Sequence, residues 1–163
     1  MDKQNIYLET TLFNYYFDED RDAHADTVTL FEECALGKFE PYTSDYTIGE
    51  IEAAPTEKCE KMLGLVERYH ITIFEASVKA EKLAKRYINE GVLPKGSMTD
   101  ARHIAVASVN TIDMIVSLNF KHIVRAKTIE LSGAINTLFG YRSVKIVTPM
   151  EVIDYEKTRY YTR

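Results

Sequence analysis

A chain of 163 residues, 45% hydrophobic and carrying a net charge of −5, is sized for one domain with its own core and is not basic enough to predict strong nonspecific nucleic-acid binding. No apolar run approaches the ~20 residues that cross a bilayer. The opening Met1-Asp2-Lys3-Gln4-Asn5 lacks the basic-then-apolar pattern of a signal peptide, so a cytoplasmic protein is expected.

Residues 5–8 read as a short buried strand, and Thr10 or Thr11 as the N-cap of a helical turn through Leu12, Phe13 and Tyr16. After the charged loop 18–22, apolar residues recur at helical spacing from His24 to Leu36, and Gly37 is the stop. A second strand is predicted over 40–44. A short helix over 48–54 follows, broken by Pro55, and then a helix from a Thr56 cap to about Tyr69. A third strand covers 71–74, and Ser77 opens a helix that Gly91 closes. Thr99 is the expected cap of a helix from Asp100 to Val109. That helix has almost no polar face after Arg102 and His103, so it is expected to be packed on both sides. A fourth strand over 114–118, a helix near 125–138 and a fifth strand over 143–147 complete the alternation. Thr148-Pro149 opens a last short helix. Strands alternating with helices predict a three-layer α/β domain over 1–154, with a central, mainly parallel five-stranded sheet flanked by helices and right-handed crossovers. Residues 155–163 are a polar, aromatic tail.

Charge is unevenly spread. Residues 1–60 hold 15 acidic and 4 basic residues, whereas 119–163 hold 4 acidic and 8 basic. Cys34 and Cys59 lack metal-ligand spacing and fall in helical patterns, so free thiols are expected rather than a disulfide.

The chemistry lies at predicted strand ends. Glu9 closes Ile6-Tyr7-Leu8; Glu50 follows the second strand; Asp100 opens an apolar helix; Asn119 ends Met114-Ile115-Val116-Ser117-Leu118. In an open parallel sheet, sites form outside the carboxyl ends of the strands, where all four are predicted. Three carboxylates so close raise one another's pKa, and a bound cation removes that penalty. Oxygen ligands suit Mg²⁺ or Mn²⁺, which lower the pKa of bound water and stabilise charge on a phosphodiester. Each residue also has a bland role: Glu9 a solvated strand end, Glu50 and Asp100 helix-start acids, Asn119 a turn former, Thr10 a cap. His103 is more often a packed or hydrogen-bonded histidine than a zinc ligand, since no Cys or His partners stand at ligand spacing. Lys121, Arg125 and Lys127 suit phosphate contacts or a solvated helix start. The run Lys79, Lys82, Lys85, Arg86 reads as a solvated face. Seven glycines include no phosphate-binding loop, and no nucleophile elbow occurs.

The stretches Ile6-Tyr7-Leu8-Glu9-Thr10-Thr11, Thr99-Asp100-Ala101-Arg102-His103-Ile104-Ala105-Val106-Ala107, Ser117-Leu118-Asn119-Phe120-Lys121-His122-Ile123 and Val147-Thr148-Pro149-Met150-Glu151, with the Glu50 segment, together resemble the PIN domain, and most of all the VapC-type toxins of toxin–antitoxin pairs. The order and spacing of these stretches carry the resemblance, over nearly the whole chain. It implies a PIN-like (flavodoxin-like) fold and a Mg²⁺- or Mn²⁺-dependent endoribonuclease. Glu9, Glu50 and Asp100 would be the catalytic and metal-binding acids, Asn119 a supporting ligand, and Thr10, Lys121 and Arg125 the RNA contacts. It also implies a cognate antitoxin and, commonly, a homodimer. Two positions depart from the family pattern: Glu9 stands where most members carry aspartate, and Asn119 where aspartate is frequent. Those departures motivate a rival reading, a catalytically weak or inactive PIN-like module that binds RNA or protein. A phosphate-accepting receiver domain is a third, and it lacks the paired acids needed after the first strand.

Overall fold

Residues 3–154 are described by the computed structural model. Five parallel strands form one sheet in the order β3-β2-β1-β4-β5. They are β1 (Gln4–Leu8), β2 (Phe39–Ser44), β3 (Thr72–Phe74), β4 (Met114–Val116) and β5 (Lys145–Val147). Among the described residues, eight helices accompany them: α1 (Thr10–Tyr15), α2 (His24–Ala35), α3 (Asp45–Glu52), α4 (Thr56–Arg68), α5 (Val78–Asn89), α6 (Met98–Val109), α7 (Ala126–Leu138) and α8 (Pro149–Val152). The chain builds outward from β1 to β3, then crosses back to place β4 on the other side of β1. β1 and β4 therefore flank the point where the strand order reverses, which is where an open α/β sheet leaves a crevice.

Alternation along β1 divides the core. Ile6 and Leu8 face a layer with Leu12, Phe31, Met62 and Leu65, while Tyr7 faces the opposite layer with Tyr87, Ile104 and Ile115. Ile6, Tyr7 and Leu8 are all fully buried. Burial on both faces is why β1 reads as an apolar run rather than as alternation. Each such large apolar side chain contributes about 1.5–3 kcal/mol. α6 buries Ala101 and every residue from 103 to 108, as its lack of a polar face predicts.

Three predicted caps do not form. Glu9, not a threonine, occupies the N-cap of α1, and Thr10 and Thr11 are its first helical residues. Pro55 precedes α4, so Thr56 lies inside it. α6 starts at Met98 with Ser97 at its N-cap, which leaves Thr99 and Asp100 within the first turn. The Thr10 and Thr11 hydroxyls bond carboxylates instead of their own helix end. Ser77 does cap α5, accepting from the Ala80 N–H at 3.1 Å. Glu151 accepts from the Thr148 N–H at 3.3 Å, closing the start of α8. Cys34 and Cys59 are free, and burial first of all pushes the Cys34 thiol up to about 12. The predicted tail, 155–163, lies outside the described residues.

Candidate active site

Register sets the first acid. Leu8 pairs with Val116, and the Glu9 N–H continues the ladder to the Val116 carbonyl at 3.1 Å. The chain then turns into α1, so the Glu9 side chain points into the crevice between β1 and β4, 2% exposed. Its Oε1 accepts from the Ser117 hydroxyl at 2.7 Å and from the Thr11 hydroxyl. Burial is the main influence on Glu9 and raises its pKa, while the positive charge of His103 and the two hydroxyls pull it back in part. The expected mutual repulsion of carboxylates is therefore not what governs Glu9; desolvation is.

Glu50 arrives on α3, and its Oε1 meets the Thr10 hydroxyl at 2.7 Å and His103 Nε2 at 2.6 Å. The Glu50 side chain is 40% exposed, so it forms the open side of this group. Burial works to raise its pKa, but the hydrogen bonds from His103 and Thr10 and the His103 charge prevail and lower it. His103 itself is fully buried. Its Nδ1 lies 2.7 Å from Tyr7 Oη, which lies 2.6 Å from Ser44 Oγ. Burial pulls the imidazole pKa down. Tyr7, the Glu50 hydrogen bond and the Glu9 and Glu50 charges outweigh it and hold His103 up at about 10. As an imidazolium, His103 donates from both nitrogens, to Tyr7 and to Glu50.

Asp100 sits in the first turn of α6, one turn before His103 and on the same face. Asn119 Nδ2 donates to its Oδ1 at 3.0 Å, and His122 Nδ1 lies 2.8 Å from its Oδ2. Asn119 Oδ1 accepts from the His122 N–H at 3.0 Å, and the Asn119 N–H reaches Ser117 Oγ at 3.0 Å. One polar chain thus runs Glu9–Ser117–Asn119–Asp100 and a second runs Glu50–His103–Tyr7–Ser44. Glu9 and His103 feel each other's charge across the gap.

Glu9, Glu50, Asp100 and Asn119 all lie at the carboxyl edge of the sheet. Thr10 is 6% exposed with its hydroxyl on Glu50, a position that holds a carboxylate. Lys121 and Arg125 are exposed on the loop after β4, beside Asn119 and His122. The sequence assigns Tyr7, Ser117 and His122 no role at this site and offers Thr11 only as a cap, while His103 is the buried, hydrogen-bonded histidine expected. The three-residue spacing of Asp100 and His103 on one helix face is the available signal; the hydroxyl contacts have none.

The donor set suits a hard divalent cation in kind, being carboxylate oxygens at a switch point. Among the described residues, no group of three His, Cys, Asp or Glu side chains stands ready to hold a metal ion. Both Asp100 oxygens have partners, and His103 shares Oε1 of Glu50 with Thr10. A cation at this edge competes with His103 for Glu50, and with Asn119 and His122 for Asp100.

No protein-family model and no curated protein matches the chain. Sixteen chains of solved structures resemble it, two of them as follows. One is the crystal structure of VapBC2 from Rickettsia felis bound to a DNA fragment from their promoter. The TM-score is 0.57 at 12% identity, over 89% of this chain and 98% of that one. The other is VapC20 of Mycobacterium tuberculosis, a sarcin-ricin loop cleaving toxin. It gives a TM-score of 0.53 at 14% identity, over 68% of this chain and 86% of that one. At such identities the likeness establishes architecture: the chain has the α/β PIN-like fold of VapC-type toxins, an all-parallel five-stranded sheet flanked by helices.

Proposed function

We propose that this protein is a Mg²⁺- or Mn²⁺-dependent endoribonuclease, the toxin of a toxin–antitoxin pair. What supports this reading is that Glu9, Glu50 and Asp100 each come from a segment at the carboxyl edge of a PIN-like sheet, with Glu9 and Glu50 both acting on His103. The RNA-cleaving VapC20 has the same fold. Glu9, Glu50 and Asp100 would hold the cation, which when bound supplies a Lewis acid and an activated water. The chain's own work is placement. Thr10 and His103 hold Glu50, Ser117 and Thr11 hold Glu9, and Asn119 and His122 orient Asp100. Asn119 would complete the shell around the cation, and its amide donates to Asp100. Lys121 and Arg125 supply positive charge next to Asp100 for the phosphate backbone. A cognate antitoxin and a homodimer belong to the same proposal; the VapBC2 complex supports the antitoxin by likeness of fold.

The test is cleavage of labelled RNA with Mg²⁺ or Mn²⁺, with and without chelator. Wild-type activity should require the ion and fall at least ~100-fold in Asp100→Asn. Activity indifferent to chelation rejects the mechanism.

The engagement of all three carboxylates with internal partners favours one second reading, a PIN-like module that binds RNA or protein without cutting. Calorimetric titration separates the two. Heat from Mn²⁺ binding that vanishes in Asp100→Asn supports the nuclease, and no binding at millimolar ion supports the module.

A further inference from the structure

Outside the acidic edge, α5 presents a second chemistry. Its inner face is apolar, with Ala80, Leu83, Ala84 and Tyr87 buried against α6 and its surroundings. Its outer face carries Lys79, Lys82, Lys85 and Arg86, all exposed. These four cations, with Phe139 and Tyr141 from the end of α7, line an open groove of about 420 Å³. No carboxylate lines it, in a chain whose net charge is −5. Among the described residues, Lys79, Lys82 and Lys85 form no ion pair, although Lys85 acts on the Glu81 carboxylate one turn before it. Arg86 is the exception, pairing with Glu90 at 3.2 Å. The Arg86 guanidinium also lies over the Phe139 ring, 5.2 Å from its centre, and Phe139 remains 49% exposed.

We propose that this groove is a second RNA-binding site, which holds single-stranded RNA flanking the segment at the acidic edge. The proposal rests on the ribonuclease reading for the identity of its ligand. Cations in a groove, with exposed aromatic faces among them, are the combination that binds single strands: the charges follow the phosphates and the rings stack on bases. Lys79 to Arg86 places cations along about 10 Å of helix axis, at 1.5 Å per residue. The groove also starts close to the acids. Glu81, in the first turn of α5, accepts from Tyr46 Oη at 2.7 Å and from Arg102 Nε at 2.9 Å. Arg102 lies between Asp100 and His103 on α6. The proposed RNA strand would cross this junction toward Lys79 and Lys82, which flank Glu81 on α5. A protein ligand would need acid of its own to match four cations, and it forms the alternative outcome below.

The experiment is fluorescence anisotropy of a labelled oligouridylate in chelator, so that nothing is cleaved. It compares wild type, Lys82→Gln/Lys85→Gln, Phe139→Ala and a charge-matched control, Lys3→Gln/Lys145→Gln. The groove double variant should weaken binding about tenfold, and its log–log salt slope should fall by ~1.4, from ~0.7 per lost single-strand phosphate contact. Phe139→Ala should weaken binding without changing the slope, and the control should match wild type. With Mg²⁺ and a long RNA, the groove variant should raise KM and keep kcat. Equal affinity and slope for the two doubles overturns the proposal, as does a wild type that binds no RNA. Unchanged RNA affinity with loss of a self-associated form in the groove double assigns the surface to protein contact and likewise overturns it. Wild type that binds RNA through the groove but never cleaves sinks the nuclease reading and leaves the groove standing. Cleavage without groove dependence does the reverse.

Discussion

His103 is the residue on which two of the carboxylates converge. It is fully buried, donates to Glu50, and is held near pKa 10 against burial. Replacing it by leucine keeps the volume but strands Tyr7 Oη and removes the charge facing Glu50. Because Glu50 is substantially exposed, the cost is discounted from the value for a fully buried pair, to about 2 kcal/mol in urea unfolding with chelator. A raised histidine pKa means that the folded state keeps a proton the unfolded chain has lost. His103 therefore stabilises fully below about 6.5, and its contribution disappears as pH climbs toward about 10. The gap between wild type and His103→Leu should narrow across that window, and a constant gap would rule out the charged pair. Glu50 has the opposite sign: its pKa is lowered, so its contribution is present above about 4.5 and is lost as pH falls below. Glu9 differs again, because burial raises its pKa and its charge at neutral pH opposes folding. Glu9→Gln should raise Tm at pH 7, with each kcal/mol gained worth roughly 2–4 °C at this length, while abolishing ion-dependent cleavage. A lower Tm would show that the hydroxyl bonds from Ser117 and Thr11 need the carboxylate charge more than burial penalises it.

Elements explain which parts of the pattern were legible. The helix over α5 was readable end to end, because Ser77, the apolar spacing and Gly91 act within a few residues of one another. The threonine caps were not readable. A hydroxyl beside a helix start is ordinarily a cap, but Thr10 and Thr11 sit where the carboxylates of Glu50 on α3 and of Glu9 at the N-cap compete for their protons. Left-handed Thr111, at φ 54 after α6, is a similar local conflict, since a β-branched residue pays heavily there. Thr111→Asn should therefore stabilise by about 1 kcal/mol in thermal or urea unfolding. The Arg142 contact to the residue 111 carbonyl, at 3.0 Å, does not depend on the side chain and should persist. No gain would mean that this turn is not strained.

For the molecule as a whole, the strand order decides where chemistry can occur. With β1 and β4 adjacent, residues more than 100 apart, Glu9 and Ser117, come within 2.7 Å. The cationic face of α5 lies apart from these acids and lines a groove of its own. If the acidic edge holds a cation, Mn²⁺ should raise Tm by mass action, and the rise should be lost in Asp100→Asn. A Tm indifferent to millimolar Mn²⁺ would favour the non-catalytic module.

From the chain alone, the alternation of five apolar runs with helices determined an α/β parallel sheet, and it put Glu9 at the end of a strand and Glu50 and Asp100 near the starts of helices. These are short-range properties, carried by periodicity and by the residues adjoining each run. Only the tertiary structure decided what each carboxylate touches: His103 for Glu50, Ser117 for Glu9, Asn119 and His122 for Asp100. Most of those partners are contributed by other elements and aimed by register and helix packing. Hydrogen bonds of 2.6–3.0 Å between such distant residues leave no mark on local sequence.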